Sequence, residues 1–447
     1  MPTQATGPLR IHPTNPRYVS PDGERAILLV GSHTWDNLKD MGRDDPPAPF
    51  DWEGYLDFLT DHHHNFMRLW AWDHTVWVSK ANGQLGKDFA HHVAPHPWLR
   101  TGPGSALDGK PKFDLTKLNA DFFDRMRHRV ASAGERGIYV SVMLFEGWCL
   151  MHANRGRGAE PGWAWRSHPF NPNNNVNDLD VDAGDEDIDG KVHRFGAEEV
   201  SAFQAEYVRK VVDTVNEFDN VLYEVINEGG EPEWDWWVAD LVREHERGKP
   251  KQRLIGITGH GAEGLESMLN SPADWVSPGR NDGYGPDAPA WDGKKVSIFD
   301  TDHVWGCGGN AAWVWKSLTR GHNPIFMDPY LGAVLCEPGD TRWPPIRQAM
   351  GHARRWSQRV DLAEFEPCDA LSSTGYCLAA PGKGYLVFVP DGESVTMDLA
   401  AAAGELSVEW IHPVEGTITH GGAISGGGSR TFSSPGEGDV ALYLATD

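Results

Sequence analysis

The amino-acid sequence predicts an α/β fold, a (β/α)8 TIM barrel followed by a small C-terminal antiparallel β-sandwich domain. Over residues 1–365, short and almost continuously apolar runs alternate with amphipathic helical patterns. This alternation is typical of parallel strands that are covered on both faces. From 366 to 447 the runs are often alternating and are separated by Gly, Pro, Asp and Ser turns, as in an antiparallel sandwich. We therefore expect a catalytic barrel over 1–365 and an accessory sandwich over 366–447.

Eight apolar runs are the predicted barrel strands. They are residues 26–30, 66–70, 139–145, 221–226, 254–258, 274–277, 296–299 and 325–327. A doubly wound open sheet is the alternative fold. It is disfavoured because the first run ends in GSHTWDN, without the glycine-rich phosphate loop of that fold.

Helical patterns separate the strands. Asp51 is positioned to cap WEGYLDFLTDHH, and residues 118–134 and 201–218 repeat the same apolar spacing. The apolar face positions are Trp52, Tyr55, Leu56, Leu59, Phe122, Met126, Val130, Phe203, Tyr207, Val211, Val215 and Phe218.

The composition limits the partners. The formal net charge of −24 argues against nucleic acid or an anionic membrane as a partner, and no 18-residue apolar run predicts a membrane span. MPTQATGPLRIHP lacks the features of a secretory signal, so we expect a cytoplasmic location, or secretion if a signal was trimmed. The five cysteines have no metal-type spacing, and a Cys368–Cys377 pair is left open.

Tryptophan is abundant, with 20 residues, several of them in tight groups. Such rings either fill a large core or stack on the C–H faces of sugars. For the second role we select Trp35, Trp70, Trp148 and Trp305, which follow predicted strands.

Residues that follow the strands of a barrel line its active-site mouth. Here they are mainly acids, aromatics, histidines and an arginine, without a metal motif or cofactor loop, so we predict no cofactor and no metal. The polar residues expected to contact substrate are Asp36, Arg68, Glu146, Asn227, His260, His303 and Asp328. This mixture fits cleavage of a glycosidic bond by two carboxyl groups, with a carbohydrate as the substrate.

Glu228 is the candidate general acid. It ends the apolar run in NVLYEVINEGG, where partial desolvation is expected to raise its pKa and keep a proton available. Asn227 beside it is suited to bind a sugar hydroxyl. Alternatively, the Asn–Glu pair only caps the following helix.

Asp300 and Asp302 are the candidates for the second carboxylate. They continue the alternation of Val296 and Ile298, so both face the barrel opening if those residues face its interior. Asp302 is our first choice as nucleophile or base and Asp300 the second. Asp328, after NPIFM, is the reserve candidate.

Two other clusters are predicted not to be metal sites. His62, His63 and His64 precede the second strand and so belong to the bottom of the barrel. Asp178, Asp180 and Asp182 imitate a calcium loop, but its glycine and closing glutamate are misplaced. For His91, His92 and His96 a metal site stays open, although their spacing matches no zinc pattern.

VLYEVINE resembles the fourth-strand signature of clan A glycoside hydrolases, and HNFMRLWAW resembles their second strand. The segments GSHTWDNL, NFMRLWAWD, VVDTVNEFDNVLYEVINE and AWVWKSLTRGHNPIFMDPY are similar to a bacterial group of glycosidases related to the apiosidases. GYLVFVPDGESVTMDL…VEWIHPVEGTI resembles the collagen-binding-like β-sandwich that members carry. The resemblance implies a TIM-barrel glycosidase with Glu228 as acid/base and Arg68 holding the catalytic carboxylate.

The acidic residues after the seventh strand differ from the pattern of that family. Clan A enzymes present a glutamate after the seventh strand, whereas VSIFDTDH offers aspartates. Retention needs carboxyl groups about 5–5.5 Å apart, so the backbone must approach more closely or inversion becomes possible. We expect hydrolysis of a plant or microbial polysaccharide or oligosaccharide. The alternatives are a decayed barrel that only binds carbohydrate and a metal-dependent hydrolase.

Overall fold

The structure is a computed structural model that describes residues 4–78, 90–150, 164–179, 192–195, 198–258, 264–331, 341–392 and 394–446. Its largest sheet has eight parallel strands, as predicted. These are β1 Gly31–His33, β2 Phe66–Leu69, β3 Tyr139–Glu146, β4 Val221–Asn227, β5 Ile255–Thr258, β6 Trp275–Ser277, β7 Val296–Asp300 and β8 Asn323–Met327.

The strand order β1-β8-β7-β6-β5-β4-β3-β2 is that of a barrel. The edges β1 and β2 approach each other, because the amides of Asn65 and Phe66 both donate to Val30 O, at 3.0 and 3.1 Å. The sheet therefore curls into a nearly closed TIM barrel, which confirms the predicted fold class.

Apolar side chains from all eight strand regions fill the lower barrel interior. They pack with Ala5, Leu9 and Val19 of the N-terminal segment, which covers the bottom. The strand contributors are Leu29, Phe66, Tyr139, Leu222, Leu254, Trp275, Val296, Ile298 and Ile325. Trp275 fits because Gly256 faces it: a Cβ on Gly256 would lie 1.8 Å from the indole. Val296 and Ile298 thus face the barrel interior. The prediction that Asp300 faces the barrel opening rested on this orientation.

Helices surround the barrel. The described α-helices are α1 Trp52–Asp61, α2 Ala120–Glu135, α3 Ala164–Ser167, α4 Glu198–Val215, α5 Pro232–Glu246, α6 Gly264–Asn270, α7 Ala311–Thr319 and α8 Pro344–Ser357. Asp51 caps α1 by accepting from Gly54 N at 3.0 Å, as predicted. α4 ends at Val215, so Phe218 lies beyond the helix to which the sequence assigned it. In the described parts of the chain, no helix is long and apolar enough to cross a membrane.

The first strand lies later than the prediction over 26–30. Within residues 26–30, backbone amides bond to asparagine side chains instead of to a neighbouring strand. Leu29 N donates to Asn323 Oδ1 and Val30 N donates to Asn65 Oδ1, both at 3.0 Å. The apolar pattern of 26–30 therefore reflects burial, and sheet pairing begins at Gly31.

Small antiparallel sheets occur outside the barrel. Arg10–Ile11 pairs with Val19–Ser20, and Trp98–Ser105 pairs with Pro111–Leu118. A third small sheet is formed by three strands, which are Asp40–Gly42, Ala90–Ala94 and Val76–Val78. Except for the N-terminal pair, these strands follow β1 and β2, so they enlarge the barrel at the end where β1 and β2 terminate.

The C-terminal region contains further antiparallel strands. They are β9 Glu366–Pro367, β10 Cys377–Ala380, β11 Gly384–Val389, β12 Val395–Asp398, β13 Glu405–Ile411, β14 Ile418–Ser425, β15 Ser429–Phe432 and β16 Val440–Thr446. Six form a sheet of order β9-β10-β11-β16-β13-β14, and β12 pairs with β15. The first five residues of the glycine-rich segment GGAISGGGS extend β14, where the left-handed Gly422 lies beside a bulge between Val408 and Glu409.

The central strand β11 of the six-stranded sheet is buried on both faces. Leu386 and Phe388 belong to the core shared with the barrel helices, whereas Tyr385 and Val387 face a second core that includes β12 and β15 residues. Trp315 of α7 donates to Pro413 O at 3.1 Å across the same contact. The region therefore packs against the barrel.

Candidate active site

Arg68 of β2 connects three carboxylates inside the barrel mouth. Its Nε and Nη2 donate to Glu224 Oε2 and Oε1 at 2.9 and 2.5 Å. Its Nη1 donates to Asp300 Oδ2 at 2.9 Å and Asp302 Oδ2 at 3.1 Å. Because the Arg68 and Glu224 side chains are 1% and 0% exposed, this pairing is needed to keep buried charges compensated.

Two further neighbours fix the guanidinium. Nη2 of Arg68 donates to Asn227 Oδ1 at 2.5 Å. The guanidinium carbon lies 4.8 Å from the centre of the Trp70 ring, a cation–π contact. The Trp70 ring in turn stacks on the ring of His33, with 5.3 Å between the two ring centres. Arg68 therefore has one defined position.

Asp300 is a fully buried anchor. Its Oδ2 accepts from His33 Nε2 at 2.8 Å as well as from Arg68, and its Oδ1 accepts from Asp302 N at 2.9 Å. Burial raises the pKa of Asp300, but His33 and Arg68 outweigh it, so the pKa lies below its ordinary value. The Asp300 carboxylate thus stays charged and caps the short 3-10 helix Thr301–His303.

Asp302 has a different environment. Its side chain is 9% exposed, whereas that of Asp300 is 0% exposed. Burial, followed by the Glu228 and Asp300 carboxylates, raises the pKa of Asp302 well above its ordinary value. One carboxylate or imidazole atom each of Glu228, Asp302 and His303 lies within 4.8 Å of the others. The structure thus brings the predicted acid and the first-choice second carboxylate into close proximity.

Glu228 lies directly after β4 with φ of 45°, in the left-handed region that side chains other than glycine rarely adopt. It is 6% exposed. The next residue must be small, because a Cβ on Gly229 would lie 2.8 Å from Gly147 Cα of the loop after β3. The Glu-Gly-Gly sequence therefore turns the chain sharply while the carboxylate stays at the mouth, a backbone geometry common at functional sites.

His303 bridges the two sides of this group. Its Nδ1 lies 2.6 Å from Ser277 Oγ, and its Nε2 lies 3.4 Å from Asn227 Oδ1 and 3.8 Å from Asp302 Oδ2. When the Ser277 hydroxyl donates to Nδ1, Nε2 carries the proton and points it toward Asn227 and Asp302.

Asp36 and Asp328 have local partners. Asp36 accepts from Thr34 Oγ1 at 3.1 Å, and burial raises its pKa to about 6. Asp328 is fully buried and paired with Arg347 of α8, whose Nε donates to Oδ2 at 2.8 Å. Asp328 also accepts from Tyr330 N at 2.7 Å. Asp328, the reserve candidate for the second carboxylate, is therefore part of a structural ion pair.

The four selected tryptophans differ in exposure. Trp35 and Trp70 are 3% and 1% exposed and pack in one aromatic cluster, with Trp35 5.9 Å from Trp70 and 5.5 Å from Trp148. Trp148 and Trp305 are half-buried. Trp35 and Trp70 therefore pack the site from behind, and only Trp148 and Trp305 of the four keep accessible ring surface. The expectation of sugar platforms at Trp35 and Trp70 is corrected accordingly.

Glu146 is also buried, at 1% exposure, and burial with nearby Asp73 raises its pKa well above the ordinary value. His260 lies outside the described residues. Asp180 and Asp182 of the acidic segment also lie outside them, while Asp178 is described.

Four polar residues of this site were not predicted from the sequence. They are His33, Glu224, Thr258 and Ser277. Glu224 accepts from Thr258 Oγ1 at 3.2 Å in addition to Arg68. A signal was present, because Glu224 and Arg68 are charges inside otherwise apolar strand runs and so require a partner. No comparable signal marked Thr258 or Ser277.

The histidines and cysteines that the sequence grouped outside this site make structural contacts. His64 is buried between Ser32 and Arg347 O, and His91 packs edge-on against Trp77 at 4.5 Å. Cys368 and Cys377 are adjacent, with Cys368 N donating to Cys377 O at 2.7 Å, but both are free thiols.

The comparisons with known proteins agree with the barrel. A family model described as a domain of unknown function, DUF6298, matches residues 80–269, less than half of the chain. No curated protein matches the sequence. A solved structure named glycoside hydrolase is 11% identical with a TM-score of 0.62, covering 99% of this chain and 97% of its own.

A glycoside hydrolase family 5 structure from Bacteroides vulgatus ATCC 8482 is similar over 98% of this chain and 94% of its own. It is 12% identical, with a TM-score of 0.64. At these identities the likeness is one of fold.

Proposed function

We propose that this chain is a glycoside hydrolase that cleaves its substrate with Glu228 and Asp302 as the two carboxyl groups. The observation that carries the proposal is the approach of these carboxylates to within 4.8 Å, measured between one oxygen of each, at the mouth of a TIM barrel. The similarity in fold to structures named glycoside hydrolases supports the same class.

The spacing favours retention of the anomeric configuration. Retaining enzymes hold their carboxyl groups about 5–5.5 Å apart, whereas inverting enzymes leave about 6.5–9.5 Å for a water molecule. The oxygens of Glu228 and Asp302 approach to within 4.8 Å, which is nearer to the first spacing than to the second. The shorter aspartate side chain is compensated by the 3-10 turn after β7, which brings Asp302 back toward Glu228.

The proton and charge distribution suit this reaction. Burial raises the pKa of Asp302, and the nearby Glu228 and Asp300 carboxylates raise it further. Arg68 donates to Asp302 Oδ2 and opposes this rise, because it favours the charged form that a nucleophile needs. Glu228 then protonates the leaving oxygen while Asp302 attacks the anomeric carbon. In the second step Glu228 removes a proton from water, which releases the sugar.

Asp300 is proposed as a positioning residue. Its carboxylate orients Arg68 and accepts from Asp302 N, so it fixes the nucleophile through the guanidinium and the backbone. Asn227 and His303 lie beside the pair with donors suited to sugar hydroxyls. Trp148 and Trp305 offer the accessible rings that stack on sugar C–H faces. Asp36, Glu146, His260 and Asp328 are retained only as outer polar residues.

We further propose a plant or microbial polysaccharide, or an oligosaccharide from one, as the substrate, in keeping with the resemblance to apiosidase-related glycosidases. Residues 366–447 are proposed as an accessory unit whose role is packing. Its aromatic residues support this, because Tyr385, Phe388 and Trp410 are 0%, 0% and 6% exposed.

The test is product release from a panel of plant and bacterial polysaccharides and aryl glycosides. We expect turnover by the parent and a loss of at least about 10²–10⁴-fold for Glu228→Gln. Glu231→Gln is the matched control, because Glu231 is exposed three residues further along the chain. Saturable binding of a glycan without turnover by the parent would instead identify a carbohydrate-binding barrel.

A further inference from the structure

We propose that His74, Glu146 and Cys149 form a binding site for a divalent transition metal, for which zinc is the best fit. His74 follows β2, Glu146 is the last residue of β3, and Cys149 follows β3. The proposed ligands are different residues from the Glu228–Asp302 pair, although the charge of Glu228 acts on Glu146, and the proposal does not depend on the proposed glycosidase activity.

The three side chains converge in the interior. One ligand-type atom of each lies within 4.8 Å of the other two. His74, Glu146 and Cys149 are 1%, 1% and 0% exposed. Zinc binds imidazole nitrogen, carboxylate oxygen and thiolate sulfur at about 2.0–2.3 Å, which requires ligand atoms roughly 3.5 Å apart in a tetrahedron. The present upper limit of 4.8 Å is longer than that spacing, so metal binding would draw the three side chains closer together.

Two buried atoms in this group have no hydrogen-bond partner among the residues that the structure describes. They are Oε1 of Glu146 and Nε2 of His74. The other carboxylate oxygen, Oε2, accepts from Cys149 N at 3.4 Å, which holds Glu146 beside the cysteine. An unsatisfied buried polar atom costs about 1–3 kcal/mol, so two at one position call for an explanation. A metal ion ligated by both atoms supplies it.

The local charge also favours a cation. Asp73 is directly beside His74 in the chain and is partly buried, with its Oδ2 3.1 Å from His193 Nε2 and 4.0 Å from His168 Nε2. Among the described residues, Glu146 has no ion pair of its own. A divalent ion bound by Glu146 would compensate the negative charge of this carboxylate.

The ligand set selects the metal. Imidazole and thiolate favour zinc and related transition ions over magnesium or calcium, which prefer oxygen ligands. Three protein ligands leave the fourth position to water. The Cys149 thiol releases its proton to solvent when it binds the ion. The ion would join the segments after β2 and β3, which border the proposed sugar site, and so stabilise that side of the mouth.

Cobalt and zinc binding to the metal-free full-length protein test the site. We expect one Co²⁺ per chain, with the visible bands of a tetrahedral site and a thiolate-to-cobalt charge-transfer band in the near ultraviolet. We also expect zinc to raise the melting temperature, since a ligand that binds only the folded state stabilises it. Cys149→Ser should remove the charge-transfer band and weaken binding by at least about 10-fold, and His74→Gln should weaken it similarly. Cys368→Ser is the control and should bind as the parent does.

The proposal is wrong if the parent binds no cobalt or zinc, or if Cys149→Ser keeps the parent's spectrum and affinity. Glu228→Gln separates this proposal from the glycosidase proposal, because Glu228, Asp302 and His303 also lie close together. We expect Glu228→Gln to bind metal like the parent. Metal binding that is lost in Glu228→Gln and unchanged in Cys149→Ser would place the ion at the carboxylate pair and overturn the assignment.

Discussion

An oxygen of Glu228 and an oxygen of Asp302 lie within 4.8 Å of each other, although the residues follow strands β4 and β7, which two other strands separate in the sheet. The left-handed turn at Glu228 and the 3-10 turn after Asp300 bring these side chains together. Arg68 contacts Asp302 and Asp300 with the same nitrogen, Nη1. The arrangement assigns different roles to the two aspartates.

Asp302→Asn should abolish turnover while the protein stays folded, because a neutral amide cannot attack the anomeric carbon. Asp300→Asn should instead lower the free energy of unfolding by about 3–5 kcal/mol, because it removes one partner of a buried charge pair. Urea unfolding combined with turnover on the best substrate of the panel measures both effects. Equal activity of parent and Asp302→Asn would contradict the assignment of the nucleophile.

Arg68→Lys should reduce both stability and activity, since lysine cannot donate along two parallel bonds to Glu224 and still reach Asp300 and Asp302. We expect a loss of at least about 3 kcal/mol in the free energy of unfolding, the lower end for breaking a buried pair. Arg430→Lys, on the exposed surface of β15, is the control. Similar unfolding midpoints for the two variants would show that the buried network contributes little to stability.

Gly256→Ala tests the packing of the barrel interior. A Cβ there would lie 1.8 Å from the Trp275 indole, so the ring or the strand must move. We expect a destabilisation of about 1–3 kcal/mol, typical of overpacking. Gly248→Ala, at an exposed position with no atom near the added Cβ, should change stability little. A Gly256→Ala variant as stable as the parent would argue against this placement of Trp275.

His322 should make the protein sensitive to acid. It is fully buried between Ser297 Oγ and Pro289 O, and burial lowers its pKa to about 4 from 6.5. Below pH 6.5 the unfolded chain binds a proton that the folded chain does not, so stability falls as the pH drops from 6.5 toward 4. The contribution of His322 is up to about 1.4 kcal/mol per pH unit.

Unfolding measured across that pH range checks this expectation. His322→Gln should show a shallower pH dependence than the parent, although other buried histidines such as His64 keep part of the slope. His128→Gln, on the exposed face of α2, should keep the parent's slope. An unchanged slope in His322→Gln would mean that His322 is not held neutral.

The sequence allowed the barrel, its strand runs and the Glu228 position to be predicted because burial and strand periodicity are local properties. The phase of Asp300 also followed from Val296 and Ile298. What the sequence could not supply was the pairing across strands. Glu224 reads as an isolated charge until β2 places Arg68 beside it, and Trp70 reads as a sugar platform until His33 and Arg68 cover its faces. The start of β1 was misplaced for a similar reason, since distant asparagine side chains take its backbone hydrogen bonds.

The most direct measurement is cleavage of an aryl glycoside by the parent and by Glu228→Ala, with and without azide. We expect turnover by the parent, a loss of at least about 10²-fold in the variant, and recovery with azide that yields a glycosyl azide of retained configuration. That product requires a covalent intermediate and a missing acid/base at Glu228. Undiminished turnover by Glu228→Ala, or a glycosyl azide of inverted configuration, would show that Glu228 is not the acid/base of a retaining glycosidase.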